Sequence, residues 1–114
     1  MHYEMKLNAK PFDQIGSGMK TIEMRIDKGE RRNLKIGDTI TFTHRDDPNR
    51  KINAEIIALH VFRDFRELYQ SLPMDKCGYT EAESRNADWC DMLEYYTEDQ
   101  IDTYGVVGIE LKLI

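Results

Sequence analysis

The sequence predicts an α+β domain, a small β-barrel of about five to six strands decorated by short helices. Three observations predict it. Alternating polar and apolar residues mark strands near both ends of the chain, helical spacing is concentrated in the middle, and the strands are joined mostly by tight turns. Tight turns disfavour a doubly wound parallel sheet, which needs long crossovers. With 114 residues and no repeat, linker or low-complexity tract, residues 1–114 read as a single domain.

The elements follow in order. "HYEMKL" places Tyr3, Met5 and Leu7 on one face and His2, Glu4 and Lys6 on the other, a half-buried strand. "PFDQIGSG" reads as a short helix: Pro11 suits a first turn, Phe12 and Ile15 share a side, and a glycine follows. In "TIEMRI", Ile22, Met24 and Ile26 alternate with Thr21, Glu23 and Arg25, giving a second strand. Gly37-Asp38 makes a turn into a strand with Ile40 and Phe42 inward. "INAEIIALHVF" is a long strand whose second half is apolar on both faces and is expected to be central. Phe65, Leu68, Tyr69 and Leu72 recur at helical spacing until Pro73. Thr80 with Glu83, and Thr97 with Gln100, match the box in which two side chains cap a helix start reciprocally. "YGVVGIELKLI" closes the chain, with Val107, Ile109, Leu111 and Leu113 on one face. The first and last strands are expected to pair.

Hydrophobic content of 40% with 32% charged residues is that of a folded soluble domain. The N-terminus alternates and lacks an apolar core, so no secretory signal is expected. The longest apolar run, "IIALHVF", is too short to span a bilayer, and no membrane association is expected. Cys77 and Cys90 form no C-x-x-C pair, which points to a reducing cytoplasm. Net charge is −5, but residues 1–57 carry +2 and residues 58–114 carry −7. Uniform attraction to nucleic acid is excluded, while a basic patch in the first half is not.

Lys20, Thr21, Glu23 and Arg25 form the candidate site. The two-residue strand period puts Thr21, Glu23 and Arg25 on one face, and Lys20 at the strand entrance swings from a glycine-containing loop. Flanking cations favour an ionised Glu23, suited to accepting hydrogen bonds from an exocyclic amino group. The bland alternative is a surface ion pair worth about 0–1 kcal/mol. Arg31 and Arg32 are candidate phosphate contacts, and Tyr95, Tyr96 and Tyr104 offer rings for stacking. His2, His44 and His60 lack ligand spacing, so no metal is expected, and His60 reads as a core histidine. No phosphate-loop or dinucleotide glycine pattern occurs, and no cofactor is expected.

The chain resembles the ASCH domain family of the PUA-like superfamily along nearly its whole length. The resemblance rests on G-x-K-x-x-E-x-R as Gly18, Lys20, Glu23 and Arg25, on "KIGDTITF", and on "YYTEDQIDTYGVVGIEL". It implies a PUA-like β-barrel with a cleft beside the motif strand that binds RNA or a nucleotide. Some short bacterial relatives are N4-acetylcytidine amidohydrolases, with the motif lysine as base and a threonine three positions later as nucleophile. Here Lys20 matches, but Glu23 holds the threonine's position, leaving Lys20, Glu23 and Thr21 as the groups any such enzyme would use. The primary expectation is therefore an RNA- or nucleotide-binding domain. A small amidohydrolase acting on modified nucleosides is the alternative, and a protein-interaction module the third.

Overall fold

The computed structural model describes residues 1–114. Strands β1 (His2–Leu7), β2 (Ile22–Ile26), β3 (Thr39–His44), β4 (Lys51–Phe62) and β5 (Val106–Leu113) form one sheet in the order β1-β3-β4-β5-β2. The sheet curls into a half-barrel, with short helices packed around it. β1 runs parallel to β3, and the remaining pairs are antiparallel.

The expected pairing of the first and last strands does not occur. β2 pairs with β5 along its whole length, from Ile22 opposite Glu110 to Ile26 opposite Val106, so β1 is left to add to the free edge of β3. β1 and β2 are thus the two edges of the sheet, and no backbone ladder joins them.

Two clusters of side chains hold the fold. The first gathers Ile40, Phe42, Ile56, Ile109 and Leu111 from the strands with Phe12 and Ile15 from α1 (Ala9–Gly16). The second packs Ile22, Met24 and Ile26 of β2 against Phe65 and Leu68 of α2 (Phe65–Ser71), Met92, and Ile101 of α4 (Glu98–Tyr104). β5 serves both through its alternation, with Val107, Ile109 and Leu111 in the first cluster and Val106 in the second.

Local sequence explains the helix boundaries. Asp64 accepts from the Glu67 N–H at the start of α2. Both capping boxes form, at α3 (Glu81–Ser84) and α4, and each Thr side chain contributes about 1 kcal/mol. Gly105 ends α4 at φ 72°, where a side chain would strain the backbone and its Cβ would sit 3.0 Å from the Phe62 carbonyl oxygen.

The second half of β4 departs from expectation. A register shift between Ile56 and Ala58 bulges the strand; Ile57 at the bulge is 43% exposed and Val61 beyond it 64%. The strand is central in the sheet, but its second half is not buried on both faces. His60 is consequently half-exposed rather than a core histidine, and pairs with Glu110 at 2.9 Å. No helix is long and apolar enough to cross a membrane.

Candidate functional site

The site lies at the seam between the two edge strands. In the β2–β5 register Glu23 stands opposite Ile109 and Arg25 opposite Val107, both members of the first core. Glu23 and Arg25 therefore point to that side of the sheet, while Ile22, Met24 and Ile26 enter the second core. The alternation is as expected, but the charged face is not solvated: Glu23 is 4% exposed and Lys20 8%. α1 and the turn around Gly78 close over it.

Several backbone bonds fix the approach to β2. The Lys20 N–H donates to the Gln14 carbonyl at 3.0 Å, tying the strand entrance to α1. The Thr21 N–H donates to the Lys76 carbonyl at 2.9 Å, and the Thr21 carbonyl accepts from Leu111 at 2.8 Å. Gln14 Nε2 reaches the Gly78 carbonyl at 3.0 Å. Gly78, at φ 114°, passes close over Lys20; a Cβ there would lie 3.5 Å from Lys20 Cδ and 3.3 Å from Gln14 Oε1.

Within this frame Lys20 Nζ lies 2.7 Å from Glu23 Oε1, and Arg25 Nε donates to Glu23 Oε2 at 2.9 Å. Arg25 Nη2 also donates to the Lys6 carbonyl at 3.1 Å, so a side chain bridges β2 to β1 where no ladder does. Burial acts to raise the Glu23 pKa, but the Lys20 ammonium and the Arg25 guanidinium outweigh it and hold the carboxyl below its ordinary value. Glu23 is therefore ionised at neutral pH with both oxygens engaged. The surface ion pair considered from sequence is instead a buried trio.

Beside the trio opens a cleft of about 630 Å³. Its lining brings Lys6, Lys10 and Arg45, from β1, α1 and the residue after β3, together with Tyr69, Tyr79, Tyr95 and Tyr96 and with Glu83, Asp91 and Glu94 from the helical segment. Tyr95 is 59% exposed, and Tyr96 stacks on Phe65 with ring centroids 6.1 Å apart. Cys77 lies in the lining, but burial pushes its thiol up to about 12, so it is not a thiolate nucleophile at neutral pH.

Lys20, Glu23 and Arg25 all line the cleft; Thr21 does not. Nor do Arg31 and Arg32. Arg32 donates instead to the carbonyls of Asp27 at 2.7 Å and Tyr104 at 3.3 Å, fastening the 3-10 turn Gly29–Asn33 to the end of α4. Tyr104 lies elsewhere too, beneath Lys28 at 5.0 Å. Lys6, Lys10, Tyr69, Tyr79 and Asp91 carry no local spacing signal that marks them as partners of β2, whereas Arg45 belongs to the basic patch that sequence charge suggests in the first half, with Lys28, Lys35, Arg50 and Lys51.

A family model described as the ASCH domain matches residues 5–114. The chain belongs to the ASCH domain family. Among solved structures, this ASCH domain is similar to the hypothetical protein PH0355, at 27% identity over all of both chains with a TM-score of 0.82. Protein PF0455 from Pyrococcus furiosus is 27% identical over all of this chain and 98% of that one, with a TM-score of 0.71. An ASCH protein from Zymomonas mobilis is 17% identical over 96% of this chain and 65% of that one, with a TM-score of 0.62. That last likeness is one of fold alone. No curated protein sequence matches the chain.

Proposed function

We propose that this ASCH domain binds RNA or a nucleotide-type ligand in the cleft beside β2. The observation that carries the reading is a cleft of about 630 Å³, the size range of small-ligand sites, whose lining joins a cationic wall (Lys6, Lys10, Arg45, from β1, α1 and the residue after β3) to a tyrosine-bearing wall from the helical segment. Phosphate suits the first wall and a base the second, since stacking on aromatic rings tolerates any base. Lys20 and Arg25 each spend part of their donor capacity on Glu23, and their remaining N–H groups are available to a ligand oxygen. Glu23 then serves to position and keep charged the two cations rather than to read the ligand itself. The family resemblance, which implies RNA binding, supports the same reading.

Hydrolysis of N4-acetylcytidine has less support. Glu23 stands where the hydroxyl nucleophile would be, and Thr21 lies outside the cleft lining. Turnover of N4-acetylcytidine abolished by Lys20→Ala would reverse that ranking.

The test is a titration of short single-stranded RNA and of nucleoside 5′-monophosphates at several salt concentrations. Binding is expected to weaken with salt, and Lys10→Glu with Arg45→Glu to reduce both affinity and salt slope by about two phosphate contacts. Arg31→Glu, on the surface beyond the cleft, is expected to leave both unchanged. Salt-insensitive binding, or loss on Arg31→Glu with none on the Lys10/Arg45 pair, would overturn the assignment.

A further inference from the structure

Three residues of the tyrosine wall form a hydrogen-bonded chain. Tyr79 Oη donates to Asp91 Oδ2 at 2.6 Å, and the Tyr69 and Tyr79 hydroxyls meet at 2.8 Å. They come from separate elements: Tyr69 from α2, Tyr79 from the turn after Gly78, and Asp91 from the 3-10 turn Trp89–Glu94. The rings of Tyr69 and Tyr79 meet edge to face, 6.0 Å between centroids at 79°. All three residues line the cleft.

The direction of this chain follows from proton counting. A carboxylate has no proton to give and a phenol has one. Tyr79 spends its proton on Asp91, so the bond between the two hydroxyls must be donated by Tyr69. Both phenolic protons are then used within the protein, and the oxygens of Tyr69, Tyr79 and Asp91 keep only acceptor capacity. Burial pushes Tyr69 up to about 12 and also raises Tyr79, so neither phenol loses its proton near neutral pH and the direction holds.

The geometry points to a cleft that selects a base bearing an exocyclic amino group, adenine- or cytosine-type, whose N–H donates to the Tyr69–Tyr79–Asp91 chain. The inference rests on the nucleotide reading of the cleft and adds to it the class of base. A carbonyl at the same place, as in hypoxanthine or uracil, would set acceptor against acceptor and leave both desolvated without a bond. Lys6, Lys10 and Arg45 in the same lining supply donors, so donors and acceptors together match an amino base carrying a phosphate.

The experiment measures dissociation constants for AMP and CMP, for their analogues with the amino group replaced by hydrogen, and for IMP and UMP. Wild type is expected to bind the amino forms about tenfold more tightly than the hydrogen analogues, and the carbonyl forms most weakly. Replacing the amino group by hydrogen adds no bulk, so a difference reads the lost donor. Asp91→Ala frees the Tyr79 proton to turn toward a ligand carbonyl; the amino preference is expected to fall to about twofold or less, with IMP and UMP gaining. Tyr79→Phe, a second variant of nearly unchanged shape, removes one acceptor and frees the Tyr69 proton while leaving Asp91 as an acceptor, so the preference is expected to fall by less than in Asp91→Ala. A chain that only staples the helices would leave the ratio between ligands unmoved in both variants. Equal wild-type affinity for amino and hydrogen forms would overturn the inference and leave the nucleotide reading standing. Failure of every nucleotide to bind wild type would overturn both.

Discussion

Glu23→Gln is expected to destabilise the fold by about 3–5 kcal/mol, because it leaves the Lys20 and Arg25 charges buried without their shared partner. Against a total stability of about 5–15 kcal/mol for a typical domain, that is a large fraction. Urea unfolding measures it, and Lys20→Met combined with Glu23→Gln is expected to cost less than the sum of the single changes, since the second removes a charge the first orphaned. A cost below about 1 kcal/mol would place the trio in an effectively solvated setting. The pH dependence has a definite sign. The Glu23 carboxyl is lowered from 4.5 in the folded state, so its contribution is fully present above that value and is lost as pH falls through the folded pKa. Wild type is therefore expected to lose stability on acidification below about pH 4.5, with a steeper slope than Glu23→Gln. Asp38, Glu83 and Asp88 are also lowered and act in the same sense in both proteins, so the difference in slope isolates Glu23.

Phe65→Ala is expected to cost about 3–5 kcal/mol through the cavity it leaves. Phe65 is 0% exposed at the start of α2, in the cluster that joins β2 to the helical segment, and Tyr96 stacks upon it. Phe65 does not line the cleft, yet the variant is expected to weaken nucleotide binding as well, because Met92 and Tyr96 of the cleft wall lose their backing. Urea midpoints and nucleotide titration on one preparation separate the two effects. Unchanged affinity beside the expected loss of stability would mean that the wall keeps its shape without Phe65.

These two residues show what was legible in the sequence and what was not. The β2 alternation identified the strand and separated Ile22, Met24 and Ile26 from Glu23 and Arg25, because a two-residue period fixes sides whatever covers them. It did not reveal that the charged side is buried. A polar face looks the same in sequence whether water or an edge strand lies against it, and here the covering groups are Lys6 of β1, α1 and the Gly78 turn. Capping boxes at Thr80 and Thr97 were readable because all their partners are local. The Tyr69–Tyr79–Asp91 chain was not, since three elements meet there only after the helical segment has folded onto β2. Charge alone marks Arg31 and Arg32 as phosphate contacts, but neither lines the cleft. A guanidinium reads identically in sequence whether it faces a phosphate or, as in Arg32, backbone carbonyls at a helix end. The end-strand pairing failed for a similar reason, because alternation defines strands but not which edges they seek.

The decisive measurement is a map of backbone amide shifts by NMR as the protein is saturated with AMP. Ligand in the cleft is expected to move amides at residues 20–25, 77–79 and 91–96, together with Lys6, Lys10 and Arg45, which line the cleft or lie beside its lining. Amides around Arg31 and Arg32 are expected to stay in place. Perturbations centred on residues 28–33, or spread without a centre while those of Lys20 to Arg25 remain still, would contradict a nucleotide site at the seam between β1 and β2.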